Sequence, residues 1–189
     1  MSNAAQTLEL GTTTWVSAYN NPHLLGDAVW KKLDEWNTEH PDLVAQIMAC
    51  EIDPELSDTA VMSEHYSIPM EASVNCVLVA GKREGAERTA AVAVRASTRA
   101  DINGTIKRML DVRKASFVPM DRAVEESTME YGGITPIGLP DTWRFVVDGS
   151  IDQESWIVIG SGIRASKIAL QGSTLVALTH AQVIEGLGQ

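Results

Sequence analysis

Two apolar, β-branched runs, Val74 to Ala80 and Arg88 to Ala96, stand on either side of Gly81-Lys82-Arg83-Glu84-Gly85. Such runs joined by turn residues form a β-hairpin, which commits the middle of the chain to antiparallel pairing. A lone hairpin is barely stable in water, so other elements must cover its apolar face. From about Gly26 to Glu39, residues Ala28, Val29, Leu33 and Trp36 recur at helical spacing, and His40-Pro41 is expected to end that helix. Leu43 to Ile52 reads as a strand closed by Asp53-Pro54. Ser57 or Asp58 is placed to cap a short helix through Tyr66, which Ile68-Pro69 stops. Beyond the hairpin, Asp101 caps a helix through Leu110, Ala115 to Val118 is a short strand, and Asp121 to Thr128 a short helix. Strands follow at about Phe145 to Val147, Trp156 to Ile159 and Lys167 to Leu170, with a helix from Ser173 to Leu178. Interspersed helices and strands of this length give the α/β class, with a curved, mixed sheet.

The 189 residues suit one domain with a short extension, taken as an N-terminal segment 1–40 with one amphipathic helix and a domain over 41–189. No apolar run approaches the roughly 18 residues of a membrane span. Met1 to Gln6 show no charged segment leading into an apolar stretch, so no secretory signal is expected. Cys50 and Cys76 both lie in apolar, strand-like runs and read as free thiols of a cytoplasmic protein. The net charge of −10 argues against a general nucleic-acid binder. Its distribution is uneven. Residues 82 to 122 hold ten basic side chains against five acidic ones, a local excess of +5 that leaves −15 on the remainder. That segment is either a solvated face or an anion-binding wall that steers a polyanion to one side.

Several familiar chemistries are excluded. Gly160-Ser161-Gly162-Ile163-Arg164-Ala165 follows a strand and fits a loose dinucleotide fingerprint, but only 24 residues remain after it, too few for the rest of that fold. A tight hairpin turn is the better reading. The four histidines are scattered and neither cysteine sits in a C-x-x-C pair, so no metal and no cofactor is expected. No G-x-S-x-G elbow supplies a serine nucleophile. Nothing basic in sequence near Cys76 would lower its pKa, so it reads as a core thiol. There remains Gly132-Gly133-Ile134-Thr135-Pro136. Paired glycines let main-chain groups approach a ligand and Pro136 stiffens the far end, making either a rigid turn or a backbone-lined pocket.

The order of these features resembles the YbaK/prolyl-tRNA-synthetase-associated editing family. The likeness runs from about residue 40 to 180. It includes the Ser57 to Tyr66 helix with Ile68-Pro69, the strand Asn75-Cys76-Val77-Leu78-Val79, Asp101 opening a helix, and Arg113-Lys114-Ala115-Ser116. It continues through Met129 to Gly138 and closes with Ile159-Gly160-Ser161-Gly162 ahead of Lys167. Its most specific part is Gly132 to Pro136, which matches the family's G-x-x-x-P loop. The resemblance implies a barrel-like mixed sheet flanked by helices. It also implies an aminoacyl-tRNA deacylase that hydrolyses the ester between a wrong amino acid and the tRNA 3′ end. Gly132, Gly133, Ile134, Thr135 and Pro136 would then hold the aminoacyl group. Arg113, Lys114, Lys82 and Lys167 would contact RNA, with tRNA and an aminoacyl-tRNA synthetase as partners.

One departure stands out. The family carries a lysine on the strand before the hairpin turn, and the matching residue is Asn75, whose amide hydrogen-bonds but bears no charge. Three outcomes are open. A basic residue such as Lys82, Arg95 or Lys167 reaches the pocket from elsewhere, positioning alone suffices for a reactive ester, or the chain binds its ligand without cleaving it.

Overall fold

The computed structural model describes residues 8–151 and 156–189; the start of the chain, Met1 to Gln6 included, lies outside them. Its elements in chain order begin with β1 (Val16–Ser17), α1 (Asp27–Glu39), α2 (Pro41–Val44), β2 (Met48–Glu51) and α3 (Thr59–His65). The hairpin strands β3 (Val74–Arg83) and β4 (Ala86–Arg95) come next, then α4 (Lys107–Met109), β5 (Ala115–Phe117) and α5 (Met120–Ser127). The chain closes with β6 (Arg144–Asp148), β7 (Trp156–Gly160), β8 (Ser166–Gln171), α6 (Gly172–Thr179) and β9 (Gln182–Ile184).

The α/β class is as expected, and the strands divide between two sheets. One has the order β1-β2-β8-β7, the other β5-β3-β4-β6-β9. The second is mixed, since β4 pairs antiparallel with β3 but parallel with β6. A single parallel bridge between Ser73 and Val158 stitches the two sheets together. The main core lies between them, with Leu78, Ala93 and Val147 facing Ile157, Ile168 and Leu170. Helix α1 contributes Val29 and Leu33, both fully buried, so the segment before residue 40 packs into that core.

Local chemistry accounts for most boundaries. Glu84 and Gly85 both have positive φ, the two-residue turn whose twist matches a tight hairpin, so β3 runs three residues further than its apolar stretch. Asp58 caps α3 by accepting from the amides of Ala60 and Val61. Asp101 caps a wide helical turn over 102–106 that leads into α4. The expected strand over 43–52 is a correction: Pro41 opens α2, and β2 starts only at Met48. Proline fits the first turn of a helix, where its missing N–H has no partner to lose. The Gly160 to Ala165 segment joins antiparallel strands β7 and β8, as a hairpin connection does. Among the described residues no helix is long and apolar enough to cross a membrane.

Candidate active site

A cleft of about 330 Å³ opens where β3 leaves β7. Its geometry follows from strand pairing. The outer edge of β3 meets β7 at Ser73 and β5 from Leu78 onward, and it is open between them. Leu78 accepts from the Val118 amide on that edge, so by alternation the N–H and C=O of Cys76 also point out of it, into the cleft. Asn75 and Cys76 form one wall, Thr59 and Met62 of α3 a second, and Gly132 with Ile134 a third; Lys167 of β8 lies at the base.

Backbone contacts fix the Gly132 to Pro136 loop. Gly132 has φ of +90°, a conformation that favours glycine. A Cβ on Gly133 would stand 2.6 Å from the Ile163 carbonyl oxygen, so two main chains touch there. Gly133 donates to Glu130 at 2.9 Å, and its own carbonyl accepts from the Gly162 amide at 2.8 Å. Arg164 pins the outer side, donating to the carbonyls of Pro54 at 2.9 Å and Tyr131 at 3.4 Å. Within the loop, Gly132 and Ile134 line the cleft. Gly133 packs on the β7–β8 connection, while Thr135 is fully buried with its hydroxyl unpartnered. Pro136 borders a separate hollow beside α1.

Asn75 is half-buried, and its Oδ1 accepts from the Thr59 hydroxyl at 3.0 Å. That bond fixes the amide plane, and Nδ2 donates to no protein group among the described residues. Cys76 turns the other way, toward the main core, where burial pushes its thiol up to about 12. Cys50 is likewise buried, its thiol raised to about 11 by burial.

Lys167, expected among the RNA contacts and also among the basic residues that could reach the pocket, lies buried at the base of the cleft. Only 6% of it is exposed, because β8 is an inner strand that pairs Lys167 with Cys50 of β2 and with Gly160 of β7. Its Nζ donates to the carbonyls of Ser57 at 3.2 Å and Gly132 at 3.4 Å. No carboxylate forms an ion pair with it among the described residues. Burial holds its pKa below the ordinary lysine range; the Arg164 charge acts in the same sense, while Cys50 and Asp58 oppose it. An ammonium kept out of water without a counter-ion is costly. Two of its three N–H bonds reach main-chain oxygens, which leaves one for an oxygen in the cleft.

The other basic candidates lie elsewhere. Lys82, Arg113 and Lys114 are exposed and do not line the cleft. Arg95 is occupied, bonding Ser150 and the Glu71 carbonyl. Sequence reading did not single out Ser57, Thr59 or Tyr131 as cleft residues. The helix start at Asp58 was legible, but its proximity to Asn75 arises only from packing of α3 beside β3.

The aminoacyl-tRNA editing domain model matches residues 53–178, which include every wall of the cleft. The chain belongs to the aminoacyl-tRNA editing domain family. Solved structures agree on the fold. The hypothetical protein APE2540 superimposes with a TM-score of 0.70 at 19% identity, covering 84% of this chain and 99% of that one. A protein proposed as a trans-editing enzyme for prolyl tRNA synthetase gives 0.66 at 15%, covering 84% and 97%. A scaffold protein from computational epitope grafting gives 0.71 at 14%, covering 87% and 99%. No curated protein shows a significant sequence match to the editing-domain chain described here.

Proposed function

We propose that this editing-domain protein is an aminoacyl-tRNA deacylase, acting in the cytoplasm on tRNA carrying the wrong amino acid. The observation that supports the reading is the buried ammonium of Lys167, at the base of a cleft bounded by the Gly132–Ile134 main chain and Asn75. The strand position that bears the family's lysine is uncharged in this chain, and a cation enters the same cleft from the opposite sheet. In the reaction, water adds to the ester carbonyl carbon and negative charge develops on its oxygen. The carbon–oxygen bond to the ribose then breaks, the ribose oxygen takes up a proton, and the amino acid leaves. Lys167 is suited to hold the developing oxyanion, and the amide of Asn75 to orient the ester or the water. Exposed Arg113, Lys114 and Lys82 would receive RNA phosphates, and a synthetase would deliver the substrate.

The test is a deacylation screen across mischarged tRNAs, including alanyl- and cysteinyl-tRNA of the proline type. Wild type should release amino acid above the buffer rate, and Lys167→Met should lower that rate about a hundredfold, the usual effect of removing one oxyanion donor. Asn75→Lys alone sets two cations in one cleft and should not accelerate the reaction. Combined with Lys167→Met, it restores a single ammonium from the β3 side and should recover part of the rate. Full activity in Lys167→Met would remove Lys167 from the chemistry. No release from any mischarged tRNA would favour the second reading, which the uncharged Asn75 supports: a non-catalytic module that binds aminoacyl-tRNA or a related aminoacyl-nucleoside.

A further inference from the structure

Among the described residues that line the cleft, one carries a negative charge and one a positive charge: Asp58, exposed at the rim, and Lys167, buried at the base. The two are neighbours in space. Lys167 Nζ donates to the Ser57 carbonyl, and Ser57 directly precedes Asp58 in the chain. No ion pair joins them among the described residues. Asp58 is still near enough for its charge to favour the protonated lysine. Two opposite charges therefore face one small cavity without meeting in direct contact.

The fold uses only half of the Asp58 carboxylate. Its Oδ1 caps α3, accepting from the amides of Ala60 at 3.1 Å and Val61 at 3.4 Å. Its Oδ2 accepts from no group among the described residues. Asparagine caps a helix as well as aspartate does, so the cap alone does not call for a charge. In a cleft that admits the end of an RNA, an unmatched carboxylate is unfavourable, because it repels phosphates. A cation on the ligand reverses that sign. An amino acid esterified to RNA carries one such group, the α-ammonium, on the carbon next to the ester carbonyl. During hydrolysis it therefore presents a positive charge and a developing negative charge on adjacent carbons, the pattern that Asp58 and Lys167 complement.

We infer that Oδ2 of Asp58 binds the α-ammonium of the esterified amino acid, which makes a free amino group the condition for entering the cleft. The inference rests on the ester-binding reading above. With the ammonium at Asp58, the carbonyl oxygen one carbon away turns toward Lys167. Thr59, next in the chain, donates to Asn75 at 3.0 Å and so ties the Asp58 end of α3 to the opposite wall. The substrate class follows from the charge. Esters with a free α-amine are accepted, whereas esters with an acylated amine, as in peptidyl-tRNA, leave the carboxylate facing an uncharged amide and are spared.

The probe is alanine joined through an amide to the 3′ position of adenosine, which does not hydrolyse, compared by calorimetry with its lactyl counterpart. The two differ only by a hydroxyl in place of the ammonium. Wild type should bind the alanyl probe about tenfold more tightly, the range for a hydrogen bond to a charged group. Asp58→Asn keeps a capping side chain and should remove most of that preference by weakening the alanyl probe alone. A wild-type thermal midpoint for the variant checks that α3 is intact. Equal binding of the two probes by wild type, no binding of the alanyl probe at millimolar concentration, or a preference untouched in Asp58→Asn overturns the inference. So does an equal loss for both probes, which would mean that Asp58 acts through Lys167 or through the fold. If wild type still deacylates mischarged tRNA, such a failure removes the ammonium site alone. Conversely, Asp58-dependent selection of the alanyl probe without deacylation of any tRNA upholds the ammonium site and removes the hydrolytic reading.

Discussion

Lys167 joins two properties that a purely structural residue rarely combines: a charge with no carboxylate partner among the described residues, and a position where water is largely excluded. The folded state pays for that burial in stability, and the sign can be worked out. Its folded pKa lies below the ordinary 10.5, so folding disfavours the protonated form. The penalty is fully present below the folded pKa and is relieved as pH rises through it. Lys167→Met keeps the apolar stem and removes the charge. It should leave stability unchanged or raised at neutral pH, and any gain should shrink in alkaline solution. Thermal unfolding of both proteins across that pH range checks this. Loss of deacylation together with a higher Tm separates a role in the cleft from a role in the fold, because a structural lysine would lose both. The same titration bears on rate: the Lys167-dependent part should fall as pH rises through a value below 10.5. Sequence alone offered Lys167 as one of several basic residues. Its burial depends on β2 and β7 closing over β8 and on Ser57 arriving from the loop before α3, none of which leaves a local pattern.

At the scale of elements, what was legible is what short-range chemistry decides. The hairpin, α1, and the caps at Asp58 and Asp101 each follow from residues within a few positions of one another. The two-residue β1 and three-residue β9 were not legible, because they exist only by pairing with distant strands. The C-terminal pairing has an identifiable clasp. Asp148, at the end of β6, is 5% exposed and accepts from the Gly188 amide at 2.6 Å and the Ser150 amide at 3.0 Å. Burial tends to raise its pKa, but the hydrogen bonds from Ser150, Gly188 and Leu187 together outweigh that and hold it below the ordinary 3.8. Its contribution is therefore present above that value and lost as pH falls through the folded pKa. Asp148→Asn turns an acceptor toward a donor and should cost about 1–3 kcal/mol at neutral pH. Urea unfolding at pH 7 measures that loss, and the gap between variant and wild type should narrow once the solution falls below pH 3.8.

For the molecule as a whole, the difficulty is that a chain of net charge −10 is proposed to bind a polyanion. The answer lies in which of the ten cations of residues 82 to 122 remain uncommitted. Arg83 and Arg88 bind Asp111, Arg122 bridges Glu87 and Glu126, and Arg95 is used internally. These four tie the β3–β4 hairpin to its surroundings and contribute little field to an approaching RNA. Lys82, Arg99, Lys107, Arg108, Arg113 and Lys114 have no ion pair among the described residues, and the last five belong to one stretch of chain, 99–114. The acidic remainder then repels RNA from the other faces, which limits productive encounters to one side. Binding through so few phosphates should be weak and strongly salt-dependent. Paired reversal, Arg113→Glu with Lys114→Glu, should weaken tRNA binding for every sequence alike and lower the slope of log K against log salt by roughly two. Titrations of mischarged and uncharged tRNA at several salt concentrations measure that slope. If charge reversal leaves the slope unchanged, the basic stretch is a solvated face and the RNA approaches from elsewhere.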